Sequence, residues 1–346
     1  MIEDCLFEKA KKSLSAKRGL RKPETTDLFK RLLYIGPEDV TIVNYRRKPV
    51  SFFNPGAVVV GDKVRVFPRV IFDYYKYVSS IGYFELNIDD LLEGSKPEKI
   101  EAKIVLWPKS LWEFLGCEDA RASFSEDKYF ILYTGKGYYE KAPEVLERKD
   151  FLGFAVFDKQ LTLLKRGYFS IIHGDEKYLP KSMKDSALLD HRKESVLLVR
   201  PDIRGIKVAW KSLADLDELS IHLTSLEPIL VNEEWEAKVG WSTNAVKISS
   251  NEYLVGWHAV VRSDYSYRNG VALVNSDGEL EAVSNYILAP KGLAEEYGDR
   301  PLVIFGDGLI KYKEWLIWVG GVSDYAIGFF AAEIDKVLDS LKKTPK

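Results

Sequence analysis

Within four residues, Glu118-Asp119-Ala120-Arg121 sets two carboxylates beside one guanidinium, just upstream of the strand-like run Tyr129-Phe130-Ile131-Leu132-Tyr133. Adjacent carboxylates repel, and a guanidinium two positions on offsets that repulsion with paired hydrogen bonds. On an extended backbone Glu118 and Asp119 point to opposite faces, whereas Asp119 and Arg121 share one. If that face lines a cavity, the pair is equipped for acid–base chemistry on a bound molecule. If it faces water, the same residues make an ordinary surface ion pair of small energetic weight.

Positioning such a pair requires a rigid frame, and the pattern of the chain is mostly one of short strands. Thr41-Ile42-Val43-Asn44-Tyr45 and Ala57-Val58-Val59-Val60 precede a Gly61-Asp62 turn and Val64-Arg65-Val66-Phe67. Glycine followed by a short polar residue between β-branched runs is a hairpin signal. Comparable hairpins are expected with turns at 125–128, 158–159, 191–194, 249–251, 276–278 and 311–313. No long helical periodicity separates them, which argues against a parallel sheet of βαβ units. Many evenly spread hairpins fit an all-β architecture that is closed or radially repeated, where few strand edges stay exposed. Segment 89–116 reads as a longer connection. The ends read as helices. Ile2, Leu6, Ala10 and Leu14 recur at near-helical spacing, a second helix is expected over Leu28–Leu33 after the start signal Pro23-Glu24-Thr25-Thr26-Asp27, and Glu333–Lys343 carries Ile334, Val337, Leu338 and Leu341 on one face.

Composition narrows the classes. At 346 residues, 46% hydrophobic and 29% charged, the chain has material for a sizeable core. A formal charge of −2 disfavours a nucleic-acid binder that works through a broad basic face. Two cysteines without C-x-x-C spacing and four histidines without H-x-x-x-H pairing give no metal-site motif. No apolar leader or eighteen-residue apolar run occurs, so a cytoplasmic protein is expected. Gln160 is the only glutamine while Lys and Glu abound, a balance that leans towards a thermophilic source. Aromatic residues make up 13%; they suit pleated sheet surfaces, and they also suit a cleft that packs on sugar rings.

Several separated pieces, taken in order, resemble one family. They are Phe53-Asn54-Pro55-Gly56-Ala57 with Arg69, then Gly116-Cys117-Glu118-Asp119-Ala120-Arg121, then Lys184-Asp185-Ser186-Ala187-Leu188 with Leu198-Val199-Arg200-Pro201. Lys238-Val239-Gly240 with His258, Tyr267-Arg268-Asn269-Gly270-Val271-Ala272-Leu273 and Val319-Gly320-Gly321-Val322-Ser323-Asp324-Tyr325-Ala326-Ile327-Gly328 complete the set. Over roughly residues 40–332 the chain resembles glycoside hydrolase family 130, the β-mannoside phosphorylases and related mannosidases. The resemblance implies a five-bladed β-propeller with its site at the central cavity. The expected organisation is a helical extension over 1–36, the propeller over 37–332 and a C-terminal helix over 333–346.

It also implies roles. Asp119 maps onto the family's general acid, with Arg121 beside it and Ala120 where the family has proline. Asn54, Arg69, Arg121, Asp185 and Asp324 map onto sugar-contacting positions. Lys184, Arg200, Lys238, His258 and Tyr267 map onto the phosphate cluster. The arginine that many members carry before the Ile-Gly of the first blade is Ser80 here, with Lys76 a possible substitute that lacks the guanidinium fork. By themselves the residues leave alternatives open: His258 in Gly256-Trp257-His258-Ala259 reads as a core histidine, Asp185 as a turn residue, and Tyr267 rather than Tyr265 as the inward member of its strand.

The expected function is inverting phosphorolysis of a β-mannoside to α-mannose 1-phosphate. The partners are a β-mannoside oligosaccharide and inorganic phosphate as co-substrate, with no metal or organic cofactor. An inverting hydrolase needs instead a second carboxylate to activate water, for which Glu233, Glu234 and Glu236 are the candidates. A non-catalytic sugar-binding propeller is the remaining rival. The N-terminal helices fit either a cap over the cavity or a homo-oligomer contact.

Overall fold

The computed structural model describes residues 1–344; Pro345 and Lys346, the end of the expected 333–346 helix, lie outside the described residues. Strands dominate, in four sheets; the nine-stranded one falls into two runs joined by a parallel bridge from Ser79 to Gly116, which gives five groups in chain order. The first comprises Ser51–Val60, Lys63–Ile71, Ser79–Asn87 and Ile100–Leu106, and the second Gly116–Ser125, Lys128–Ala142, Val145–Asp158 and Leu163–Tyr168. Met183–Leu188, Glu194–Ile203, Ala209–Asp215 and Ser220–His222 form the third. Glu236–Lys247, Glu252–Val261, Tyr267–Asn275 and Leu280–Ser284 form the fourth. The fifth joins Ile304–Tyr312, Trp315–Val322 and Ala326–Glu333 to a strand from the other end of the chain, Lys30–Ile35.

The leading strand of each group packs against the leading strands of its neighbours, and the fifth returns to the first. The apolar side chains of adjacent groups mesh. Trp210, Trp241, Trp257 and Trp318 are fully buried, which assigns these rings to core packing and not to a sugar-binding surface. Turns fall at Gly61-Asp62, Glu126-Asp127 and Ser276-Asp277, where small and polar residues accept the required backbone angles. Segment 89–116 is not one long connection: it contains the helix Ile88–Glu93 and the outer strand Ile100–Leu106 of the first group.

Both chain ends differ from the helical expectation. The helix Ile2–Ala16 forms as expected, with Ile2, Leu6 and Ala10 buried, and it packs on the outside of the third group, away from the cavity described below. Leu28–Leu33, however, is not helical. Thr26 and Leu28 donate to the carbonyls of Tyr286 and Ile287, and Lys30–Ile35 then pairs antiparallel with Ala326–Glu333. Leu33 and Ile35 alternate inward there, so an unpaired strand edge and a period-two apolar face outweigh local helix propensity. At the far end the helix spans only Ile334–Asp339. Leu341–Lys343 adds as a strand to Leu280–Ser284, again satisfying an open edge.

Ile35 is fully buried on the closing strand. Ile35→Ala is expected to cost about 2–4 kcal/mol in a denaturant melt. A loss below about 1 kcal/mol would mean that this strand does not hold the first residues to the last.

Candidate active site

Every leading strand is broken by a register shift: between Phe53 and Gly56, Glu118 and Arg121, Lys184 and Ala187, Trp241 and Ala245, and Gly306 and Gly308. Such bulges re-aim side chains that regular pleating would send to alternate faces. Asn54, Asp119 and Asp185 occupy three of them with φ of 44°, 52° and 52°, and Asp324 has φ 52° in the turn after Val322. Asn and Asp are the side-chain-bearing residues that best tolerate this left-handed region.

These side chains meet at a cavity of about 220 Å³. Asp119 Oδ1 accepts hydrogen bonds from Asn54 Nδ2 at 2.9 Å and from Arg69 Nη1 at 3.3 Å. Among the described residues no donor reaches its Oδ2. Glu118 lines the same cavity and takes Arg69 Nη2 at 2.8 Å. This corrects the opposite-face expectation, which assumed an extended backbone at Asp119. Gly321 makes room for Asn54, since any Cβ there would overlap the Asn54 amide. Asp324 completes this side. Its carboxyl has no hydrogen-bond donor among the described residues, and burial raises its pKa to about 6 against the pull of Arg69 and Arg300.

Cations line the cavity as well. Lys184, Arg200, Lys238 and Tyr267 all line the cavity, joined by Arg300, which sequence reading missed. Lys238 Nζ donates to Tyr267 Oη at 2.9 Å. Burial lowers the Lys238 pKa, so its charge is costly to hold until an anion arrives. Burial alone would raise the Tyr267 phenol, but Lys238 and Arg300 outweigh it and lower the pKa. Arg200 grips Asp185 through Nε at 2.6 Å and Nη2 at 2.5 Å. Burial would raise Asp185; Arg200 and Arg121 instead hold it well below the usual carboxylate range. Gly240 leaves space for the Arg200 stem and the His258 ring, which a Cβ would crowd.

Two expected contact residues lie behind the cavity. Arg121 is buried and donates Nη1 to the Asp119 carbonyl and Nε to the Ser242 carbonyl, both at 2.8 Å. Its Nη2 lies 2.7 Å from Asp307 Oδ1 and 3.4 Å from Asp185 Oδ1. It therefore does not line the cavity; the bulge that frees Asp119 sends Arg121 inward. His258 is fully buried on the second strand of its group, stacked behind Tyr267 at 5.6 Å with Nδ1 3.0 Å from Ser242 Oγ. Burial holds its pKa well below the imidazole range, so it stays neutral. The core-histidine reading describes its burial, and its neighbours place it against the cation cluster.

Asp307 was also missed. It sits fully buried in Gly306-Asp307-Gly308, and burial drives its carboxyl towards the protonated form despite Arg121. An acid flanked by glycines inside an apolar strand is a legible bulge signal. Arg300 offered none beyond a charge in a loop. Glu233 and Glu236 do not line the cavity: both are buried against Arg21, and Glu233 accepts from the Gly19, Leu20 and Arg21 amides. Glu234 is exposed outside it. Ser80 and Lys76 line a different, aromatic-walled cavity, so Lys76 does not stand in for an arginine at the cation cluster.

A family model described as beta-1,4-mannooligosaccharide phosphorylase matches residues 19–343. The chain is 26% identical over 305 residues to a β-1,2-mannobiose phosphorylase of Thermoanaerobacter sp. (strain X514), covering 83% of this chain and 91% of that one. Among solved structures it is similar to the β-1,2-mannobiose phosphorylase from Listeria innocua in complex with β-1,2-mannobiose, with TM-score 0.68, 17% identity, and coverage of 88% and 96%. It is also similar to a mannose phosphorylase from Leishmania mexicana in complex with phosphate ion, with TM-score 0.59, 13% identity, and coverage of 98% and 96%. At these identities the structural likeness speaks for the fold.

The bulge geometry is testable at Asn54. Asn54→Ala is expected to lose about 1–2 kcal/mol of stability from the left-handed backbone, and Asn54→Gly to recover most of it while still lacking the donor to Asp119. Equal unfolding midpoints for the two variants would remove the backbone argument.

Proposed function

The chain belongs to glycoside hydrolase family 130, and from that premise we propose that it is an inverting phosphorylase of β-mannosides that releases α-mannose 1-phosphate. Its five strand groups are read as the blades of a closed β-propeller with helical segments at both ends. The observation that carries the functional reading is a single cavity that holds Asp119, one carboxylate oxygen free, together with Lys184, Arg200, Lys238, Tyr267 and Arg300.

In this reading Asp119 gives its proton to the glycosidic oxygen, directly or through a sugar hydroxyl. Phosphate held by the cation cluster attacks the anomeric carbon from the opposite face. The bond from that carbon to the leaving oxygen breaks, the bond to a phosphate oxygen forms, and the configuration inverts from β to α. Phosphate is already an anionic nucleophile, so no carboxylate is needed to activate it; fixed cations supply the electrostatic stabilisation. Asn54 and Arg69 hold Asp119 and contact the sugar, and Asp324 and Asp185 accept its hydroxyls. Arg121 and His258 act as positioning residues, through Asp185, Asp307 and Tyr267.

One observation favours a second reading. Asp324 is a cavity carboxyl without a donor partner and with a pKa near neutrality, about 6, the character expected of a water-activating base. The two readings part on the acceptor. With β-1,2- or β-1,4-mannobiose and phosphate, the phosphorylase forms a sugar phosphate and releases little mannose when phosphate is omitted. Release of mannose by water alone, unchanged by phosphate, would establish the hydrolase instead.

Asp119→Asn keeps the side-chain shape and the backbone tolerance, and is expected to lower kcat about 10²–10⁴-fold in a protein that stays folded at the assay temperature. Full turnover in that variant would exclude Asp119 as the acid. The raised Asp324 carboxyl protonates as pH falls through about 6, and the protonated form is the poorer acceptor of sugar hydroxyls. Mannoside KM is therefore expected to climb below pH 6, and this limb to vanish in Asp324→Asn. A pH profile identical in the two proteins would assign the limb to another group.

A further inference from the structure

A second cavity, of about 270 Å³, meets the first across Lys184, Arg200 and Lys238, which line both. Beyond those three it is walled by Arg148, Lys149, Lys181 and Lys207, with Asp150 and Asp202 as its only acids and Ser182 as its one neutral residue. Part of this charge is internally compensated. Asp150 takes Lys184 at 3.2 Å and Arg148 at 3.7 Å, Asp202 takes Lys207 at 3.4 Å, and Lys149 pairs with Glu147 at 3.2 Å. Lys181 is exposed and has no carboxylate within ion-pair distance among the described residues. Seven basic side chains in the wall, set against Asp150 and Asp202 there and Asp185 and Glu147 behind it, leave a net positive chamber. No aromatic or aliphatic side chain lines it, so it offers no apolar face to a sugar ring. At about 30 Å³ per water, its volume accommodates a hydrated anion.

We propose that this chamber is a holding and entry site for inorganic phosphate, separate from the route taken by the sugar. The inference rests on the phosphorolysis reading. In an inverting displacement the nucleophile and the leaving oxygen occupy opposite faces of the reacting carbon. A nucleophile that arrives after the sugar therefore needs an approach to the face opposite Asp119. The chamber adjoins the cavity at Lys184, Arg200 and Lys238, the residues that receive phosphate in this reading. Its surplus charge concentrates dianions beside that point, as clefts of one sign do. Lys184 and Arg200 are tied to Asp150 and Asp185, whereas among the described residues Lys238 bonds only the Tyr267 hydroxyl, which leaves Lys238 the readiest to pass an anion from chamber to cavity.

The test is the double variant Lys181→Ala/Lys207→Ala, which touches none of the three shared residues. Its control is Lys12→Ala/Lys99→Ala, which removes equal charge outside both cavities. Phosphate affinity by calorimetry without sugar, and KM for phosphate in phosphorolysis, are each expected to weaken about fivefold in the chamber variant. The effect shrinks with added salt, mannobiose KM moves less than about twofold, and the control stays at wild type. Unchanged phosphate binding and KM, or an equal shift in the control, would overturn the proposal. A rise in mannobiose KM instead would make the chamber a sugar subsite and would overturn it too. Should the protein prove hydrolytic, the calorimetry still decides: phosphate binding that weakens in the chamber variant supports an anion chamber, and no phosphate binding by the wild type refutes it.

Discussion

The buried guanidinium of Arg121 is the tie on which the centre of this molecule depends. Rooted in the second leading strand, it reaches the carbonyl of Ser242 in the fourth, Asp185 in the third and Asp307 in the fifth, while its own strand's Asp119 takes Asn54 from the first. All five leading strands are thus linked through one short polar chain. Such a network adds little net stability over an apolar core, but removing one member strands the others and costs several kcal/mol. Charge is apportioned within it. Asp185, flanked by Arg200 as well as Arg121, stays ionised, whereas Asp307 is driven towards neutrality and His258 is kept neutral. One guanidinium does not sustain two desolvated carboxylates here.

That tie is possible because the leading strands are irregular. A regular strand at Glu118–Arg121 would put neighbouring side chains on opposite faces, leaving one acid outside. The bulge rotates Asp119 into the left-handed region, sends Arg121 inward and keeps Glu118 on the cavity wall. Backbone strain of this kind is small per residue, and Asn and Asp reduce it further. Gly321 and Gly240 provide the complementary absence of side chain where Asn54 and Arg200 pass.

Acids and cations interleave around the resulting cavity: Arg69 bonds Asp119 and Glu118, Arg200 bonds Asp185, and Lys238 and Arg300 lower the Tyr267 hydroxyl pKa against the effect of burial. In the proposed reading sugar hydroxyls donate to the carboxylates, and phosphate oxygens accept from the cations. Ser80 lines an adjoining aromatic-walled cavity, whose neighbouring wall residue Ser79 accepts from Arg69 Nε at 2.9 Å.

Local rules account for much of this protein. Period-two alternation and turn residues identify the hairpins because both act within a few residues, and the ordered motifs identify Asp119, Asn54, Arg69, Lys184, Arg200, Lys238 and Tyr267 as cavity residues. Other features depended on partners far along the chain. Lys30–Ile35 is a strand because Ala326–Glu333 offers it an edge, and Leu341–Lys343 leaves its helix for the same reason at Leu280–Ser284. Glu118 enters the cavity, Arg121 and His258 fall behind it, and Glu233 and Glu236 bind the N-terminal segment through distant Arg21. Side-chain direction follows from backbone angles at a bulge, and strand pairing follows from an edge hundreds of residues away; neither is encoded in the spacing of neighbours.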